Sequence, residues 1–261
     1  MQLAANLSWM YPNLDWTHRF EAAARDGFEG VEILLPYDEP ADWYAKMLQG
    51  SGLELALLNT PVSRGVGKLG LAAIPGAEDG FRQCFDRARG VALATGCRRI
   101  HVMAGYVAGL DQSDCTAVLL GNLESALELA AKDDIVLTLE ALNRGDMPGY
   151  FYHLPGQAIQ IVRHFNSPHL RLQFDFYHCV RESLDLQEEV RAAAPWIGHV
   201  QIAGAPERHE PDLSKAGLLE AVAALPGLGY DSWVGCEYQP RTTAAEGLSW
   251  CQPLHTRGVL R

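Results

Sequence analysis

A chain of 261 residues, nearly half of them hydrophobic and a fifth charged, holds enough apolar material for one large core or two small ones. Its formal net charge of -11 argues against a general nucleic-acid or acidic-membrane surface, where clustered Lys and Arg would be needed. An anionic ligand would have to be met by local positive charge, either a metal ion or a specific arginine.

Along the chain, short apolar runs alternate with longer amphipathic stretches. Leu3 to Asn6 predicts a first strand, and Asp15 to Arg25, with Phe20, Ala23 and Ala24 on one side, a first helix. Gly30 to Leu35 is the second strand, followed by a helix over Ala41 to Leu48, and Leu53 to Asn59 is the third strand. Thr60 to Pro75, rich in glycine, reads as a long loop, and loops above about 12 residues in compact domains are often functional. A helix over Glu78 to Thr95 stops at Gly96, the residue a helix C-terminus prefers. Arg99 to Ala104 is the fourth strand, Asp114 to Lys132 a helix, and Ile135 to Glu140 the fifth strand. After a loop through Asn143 to His153, Gln157 to Phe165 is helical. Leu170 to Asp175 is the sixth strand, its apolar residues alternating with polar ones. Leu184 to Ala194 is helical, His199 to Ala203 the seventh strand and Leu218 to Ala224 helical. Trp233 to Glu237 is the eighth strand, before a last helix near Ala244 to Trp250.

Eight strands, each followed by a helix, in about 250 residues predict a (β/α)8 TIM barrel, taken as one domain over residues 1–261. The alternative, a doubly wound sheet, lacks its GxGxxG turn after the first strand. No composition break or Pro/Ser-rich linker divides the chain, and no internal repeat goes beyond the strand and helix rhythm. The six cysteines form no CxxC pair and no zinc-finger spacing, the usage of reduced, mostly buried thiols. Met1 to Asn6 lacks a basic segment followed by a long apolar run, and no stretch reaches the roughly 20 apolar residues of a membrane span. The expectation is a soluble cytoplasmic protein with no membrane partner.

The last four strands end on Glu140, Asp175, Gln201 and Glu237, about one strand-helix unit apart. Neighbouring strand ends of a closed barrel converge on one mouth, so three carboxylates and an amide oxygen would face a common volume. Like charges that close raise one another's pKa and destabilise the fold, and a divalent cation removes the problem. An oxygen-rich donor set suits Mg2+ or Mn2+ better than structural zinc. As isolated residues, each would be an ordinary solvated loop residue near a strand end; four in succession point to a site. His178, three residues past Asp175, reads as a substrate contact rather than a satisfied structural histidine because of its place at the active face. Arg208, in the polar loop Gly204 to Asp212, is either a surface charge or a bidentate holder of a substrate carboxylate. Glu32, Asn59 and His101 also fall at or near strand ends and rank below these as pocket residues, with His101 alternatively a core residue.

On these residues the chain resembles the hydroxypyruvate isomerase family, within the xylose isomerase-like TIM barrels. The likeness runs through Ala5-Asn-Leu-Ser8, Gly30-Val-Glu32, Pro36-Tyr37, Leu139-Glu140, Asp175 with Tyr177-His178, His199 to Ala203, Arg208 with Glu210-Pro211, and Gly235-Cys-Glu237-Tyr with Pro240. The combination is specific where any single piece is weak. The resemblance implies that Glu140, Asp175, Gln201 and Glu237 form a metal site, that Glu140 and Glu237 are also the acid/base groups, and that His178 and Arg208 contact substrate. His101 to Gly105 and Arg208 to Asp212 look more like the 2-oxo-tetronate isomerase branch, whereas Leu142-Asn143 with Met147-Pro-Gly149 looks more like hydroxypyruvate isomerase proper. Leu254 to Arg261 matches neither.

The implied reaction is an aldose-ketose type isomerisation of a small anionic hydroxy-oxo acid, with hydroxypyruvate and tartronate semialdehyde as the first pair and 2-oxo-tetronate as the alternative. Three rivals have discriminating features. A DNA-repair phosphodiesterase on this barrel would want a His-rich multinuclear site and a basic face. A ketose 3-epimerase would carry histidine at the position of Gln201. A non-catalytic sugar-acid binder would gain nothing from three added negative charges. Homo-oligomerisation stays open at this level.

Overall fold

Strands joined by amphipathic helices must run parallel, because each helix carries the chain back to the end where the previous strand began. The computed structural model describes residues 1–62 and 68–261, and its eight strands close into a parallel barrel in chain order. The strands are β1 Gln2–Asn6, β2 Gly30–Ile33, β3 Glu54–Asn59, β4 Arg99–His101, β5 Val136–Glu140, β6 Leu170–Asp175, β7 Ile197–Ile202 and β8 Trp233–Cys236. The helices are α1 Trp16–Arg25, α2 Ala41–Ser51, α3 Glu78–Thr95, α4 Gln112–Lys132, α5 Pro155–Phe165, α6 Phe176–Arg181, α7 Leu186–Ala193, α8 Leu218–Ala224, α9 Ala244–Gly247 and α10 Gln252–Thr256. The glycine-rich loop expected over 60–75 contains residues 63–67, which lie outside the described residues.

Local chemistry sets the ends of these elements. Asp15, Asp111 and Asp185 accept backbone N–H groups at the starts of α1, α4 and α7, and α3 ends at Gly96 with φ 73°, as its glycine implied. Leu137, Leu139, Leu172, Phe174, Val200 and Ile202 join the large apolar core shared with the helices, while the alternate residues of the same strands face the barrel interior. Ala4, Ala56 and Trp233 form a separate apolar cluster. A Cβ at Gly30 would lie 2.6 Å from the Trp233 ring, so β2 must open with glycine to make room for it. Across the barrel, the interior layer above is polar: the side chain of Gln201 on β7 reaches Glu32 on β2.

Four expectations are corrected. Strand β4 stops at His101 rather than Ala104, because the Met103 and Ala104 amides are taken by the hydroxyls of Thr60 and Tyr150 instead of a strand ladder. A helix, α6, follows β6 at once, where none was expected before Leu184. The aromatic and β-branched residues of Phe176 to Val180 are poor helix formers, but the Asp175 carboxylate accepts the Tyr177 N–H at 2.8 Å and starts a helix. Glu237 falls one residue past the end of β8. The single helix expected near Ala244 to Trp250 is split into short α9 and α10 with a 3-10 turn over Leu248–Cys251 between them. All six cysteines are free, five of them buried, and among the described residues no helix is long and apolar enough to cross a membrane.

Candidate active site

Glu140 is the last residue of β5 and Asp175 the last of β6. Asp175 pairs across the ladder with Gln201 of β7, and Gln201 with Gly235 of β8, so Glu237 follows on the same rim. Ligating atoms of Glu140, Asp175 and His178 all lie within 4.8 Å of one another. Nε2 of His178 is 3.6 Å from Oε1 of Glu140 and 3.6 Å from Oδ2 of Asp175. Arg208 joins the fourth group: its Nη2 is 3.0 Å from Oε2 of Glu237 and 3.7 Å from Oδ2 of Asp175. Glu140, Asp175, His178, Arg208 and Glu237 therefore share one volume at the C-terminal mouth of the barrel.

Burial shapes the electrostatics of this cluster. Burial raises Glu237 to about 8, with Asp175 adding to the rise and Arg208 opposing it. Burial likewise raises Asp175 to about 6 against the pull of Arg208. Glu140 is raised well above the usual carboxylate range by burial and by the charges of Glu237 and Asp175. Three buried carboxylates face one buried guanidinium, whose own pKa is lowered by burial and raised further by Glu237 and Asp175. Oε1 of Glu140 and Oδ2 of Asp175 are buried and have no hydrogen-bond partner. Orphaned carboxylate oxygens and unbalanced negative charge fit a divalent cation, which would satisfy the oxygens and lower those pKa values together.

Arg208 is held from both sides. Its guanidinium lies 4.7 Å from the Tyr177 ring centre and 5.0 Å from that of Trp9, within cation–π range. Its backbone is left-handed, with φ 58°, and its carbonyl accepts the Gln239 N–H at 3.0 Å. The Tyr177 hydroxyl donates to Asp146 at 2.6 Å, and Asp146 pairs with Arg181 at 2.9 Å, which anchors the ring. Neither Trp9 nor Asp146 is singled out by spacing in the chain.

A backbone bond decides the proton on His178. The Asn143 N–H donates to Nδ1 at 3.0 Å, and a backbone amide cannot reverse its role. Burial lowers the His178 pKa well below its ordinary value, so the ring is neutral and its proton sits on Nε2, the nitrogen facing Glu140 and Asp175. A protonated nitrogen has no lone pair for a metal. His178 thus presents an N–H donor to the mouth.

The other sequence-derived residues are buried near the same rim. Both amide atoms of Gln201 are engaged: Oε1 accepts from Gln173 at 2.6 Å and Nε2 donates to Glu32 at 2.9 Å. His101 pairs with Asn59 in the ladder between β4 and β3, and its Nδ1 is 3.4 Å from Oε2 of Glu140 without a hydrogen bond. Burial, then His199, lowers His101 to about 3. Oδ1 of Asn59 and both His101 nitrogens are unpartnered, as the Glu140 and Asp175 oxygens are. Gln173, inward on β6 two residues before Asp175, was legible only through the alternation of that strand.

The family model for a xylose isomerase-like TIM barrel matches residues 20–254. A 2-oxo-tetronate isomerase of Cupriavidus necator is 41% identical over 254 residues, covering 97% of this chain and 98% of its own. Hydroxypyruvate isomerase of Escherichia coli is 36% identical over 257 residues, covering 97% and 99%. Among solved structures, AP endonuclease, family 2, from Brucella melitensis superposes with a TM-score of 0.90 at 38% identity, covering 97% of this chain and 99% of that one. With a closed eight-stranded barrel and an acidic mouth beneath those similarities, this chain belongs to the xylose isomerase-like TIM barrel family, among the relatives of hydroxypyruvate and 2-oxo-tetronate isomerases.

Proposed function

We propose that this isomerase interconverts a small 2-oxo-3-hydroxy acid and its isomer by proton transfer through an enediolate, with hydroxypyruvate and tartronate semialdehyde as the first pair. The observation that carries the reading is the convergence of Glu140, Asp175 and Glu237 on one buried mouth beside Arg208 and the N–H of His178. Mg2+ or Mn2+ held by Glu140, Asp175, Gln201 and Glu237 would supply Lewis-acid polarisation of the carbonyl and hydroxyl oxygens. Oε1 of Gln201 accepts one hydrogen bond from Gln173 and keeps a second lone pair for that role.

Each side chain then has one task. Arg208 meets the substrate carboxylate with donors beyond the Nη2 that touches Glu237, and the rings of Trp9 and Tyr177 keep its fork in place. One of Glu140 and Glu237 takes the proton from the hydroxyl-bearing carbon, and that carbon's electron pair becomes the double bond of the enediolate. The proton returns to the former carbonyl carbon, and the hydroxyl proton passes to the former carbonyl oxygen, so that the old hydroxyl becomes the new carbonyl. The Nε2–H of His178 donates to the substrate oxygen that gains charge between these steps, and its low pKa keeps the group a neutral donor.

A second reading, 2-oxo-tetronate as substrate, is supported by the unpartnered polar atoms of Asn59 and His101 at the same rim, which offer partners for a further hydroxyl. A phosphodiesterase is disfavoured by the net charge of -11 and by a donor cluster with one histidine, whose nitrogen facing the carboxylates carries a proton. The test is proton NMR in D2O on hydroxypyruvate, 2-oxo-tetronate and several ketoses, with and without chelator. The expected result is isomer formation from an acid, with solvent deuterium at the reprotonated carbon and loss of turnover on chelation. Turnover of uncharged ketoses alone would transfer the protein to the epimerases, and conversion of none of the compounds would end the reading.

A further inference from the structure

Beneath the mouth, the barrel interior holds a run of buried polar side chains, among which Glu32, Gln173, Thr138 and His199 have no part in the proposed reaction. Glu32 on β2 accepts from Nδ2 of Asn6 at 2.9 Å and from Nε2 of Gln201 at 2.9 Å, and its Oε1 is 2.5 Å from Nε2 of His199. Oε1 of Gln201 accepts from Nε2 of Gln173 at 2.6 Å. The same Gln173 nitrogen donates to Oε2 of Glu140 at 2.9 Å, while Oε1 of Gln173 accepts the Thr138 hydroxyl at 2.9 Å. A continuous chain of hydrogen bonds therefore crosses the barrel from Glu32 to Glu140.

The chain has a direction. A carboxylate offers only acceptors, so Gln201 must turn its NH2 group to Glu32 and its carbonyl oxygen to Gln173. That oxygen draws the Gln173 NH2 group, whose second hydrogen falls on Oε2 of Glu140. Reversing any one amide would set oxygen against oxygen, a buried clash of the kind that costs about 1–3 kcal/mol per unsatisfied group. Glu32 thus fixes the orientation of Gln201, whose oxygen joins Glu140 in drawing the Gln173 NH2 group, so that one hydrogen of Gln173 is placed on each and Oε2 of Glu140 is the anchored oxygen. Oε2 is tied down, and Oε1, unpartnered, is the atom left facing the mouth, where cation and substrate would meet.

The backbone carries an independent mark of this arrangement. Strand β8 has Gly235 where any Cβ would overlap the Glu32 carboxylate. Gly235 has no left-handed φ to explain it, so its role is space for that side chain.

We infer that Glu32, acting through Gln201 and Gln173, is the positioning residue for Glu140, directing Oε1 of Glu140 at the substrate while making no contact with the substrate itself. The inference rests on the catalytic reading of Glu140. It is tested with Glu32→Gln, which introduces an NH2 group among donors, and Gln173→Met, which keeps length and removes both donors. Each is expected to lower kcat on whichever acid the wild type converts by about ten- to a hundredfold, the loss typical of small misplacement, with KM changed no more than about threefold. The double variant should be no slower than the slower single one, because either change breaks the same chain. In 15N-labelled protein, the Gln173 side-chain NH2 protons should be protected from solvent exchange, and Glu32→Gln should remove that protection although residue 32 does not touch Gln173. Unchanged kcat in the single variants, multiplicative losses in the double variant, or unchanged protection would each overturn the inference. If Glu32→Gln does not fold, Gly235→Ala takes its place with the same expected outcomes. A wild type that converts none of the acids would defeat the proposed function alone, and the exchange measurement would still decide the chain.

Discussion

Arg208 grips Glu237 twice: its Nε donates to the Glu237 backbone carbonyl at 3.2 Å, and its Nη2 stands 3.0 Å from the carboxylate Oε2. One cation thus fixes both the backbone exit of β8 and the acid that follows it, and the planar fork is what allows both contacts. Arg208→Lys keeps the charge but loses the fork and its stacking between Trp9 and Tyr177. For an anionic hydroxy-oxo acid, KM is expected to rise ten- to a hundredfold, the equivalent of a charged hydrogen bond of about 1.5–3 kcal/mol. Steady-state kinetics check this, and an unchanged KM would remove Arg208 from carboxylate binding.

Glu140→Gln and Glu237→Gln should each reduce kcat by on the order of 10² to 10⁴, the range for a positioned acid or base. Both variants should keep the far-UV circular dichroism of the wild type, since a neutral amide in a crowded acidic mouth relieves repulsion. A variant that still exchanges substrate hydrogen with D2O without forming product would mark the group that returns the proton rather than the one that removes it. Near-normal turnover in both variants contradicts the assignment.

His178 separates a donor from a ligand. With the Asn143 N–H on Nδ1, the neutral ring offers a proton at Nε2. His178→Ala is expected to lower kcat by about 10² or more, as removal of a preorganised donor does. Its Mn2+ affinity, measured by electron paramagnetic resonance titration, should stay within a few-fold of wild type. A loss of affinity of a hundredfold or more would make His178 a ligand.

The buried acids tie stability to pH. Folding raises Asp175 from 3.8 to about 6 and Glu237 from 4.5 to about 8, so these two groups hold more protons in the folded protein than in the unfolded chain. Below about 6.5 the buried neutral histidines His101, His178 and His199 oppose this, because the unfolded chain protonates them and the folded one does not, so the net fall in stability is expected as pH rises from about 6.5 to about 8. The Tm of chelator-treated protein should drop over this range, and added Mn2+ should raise Tm more at pH 8 than at pH 5, where protons compete for the same oxygens. A Tm that climbs over the window, or an equal cation effect at both ends, would contradict the charge pattern.

What the amino-acid order determined was the rhythm of the barrel and the acids at its mouth. The alternation of Leu172 and Phe174 with Gln173 and Asp175, and its counterparts in β5 and β7, is a local periodicity that survives without any knowledge of neighbours. Glu140, Asp175 and Glu237 were legible for the same reason, since each stands at or just past the end of an apolar run. The tertiary structure alone decided the rest. Helix α6 forms because Asp175 caps it, which overrides the strand preference of Phe176, Tyr177 and Val180. The proton of His178 is set by an amide 35 residues earlier in the chain. The Glu32 to Glu140 chain spans strands β2, β7, β6 and β5, and Gly235 has its meaning only because a carboxylate from β2 lies against it. Periodicity is a property of neighbours in sequence, whereas hydrogen-bond direction and free space depend on residues that only the closed barrel brings together.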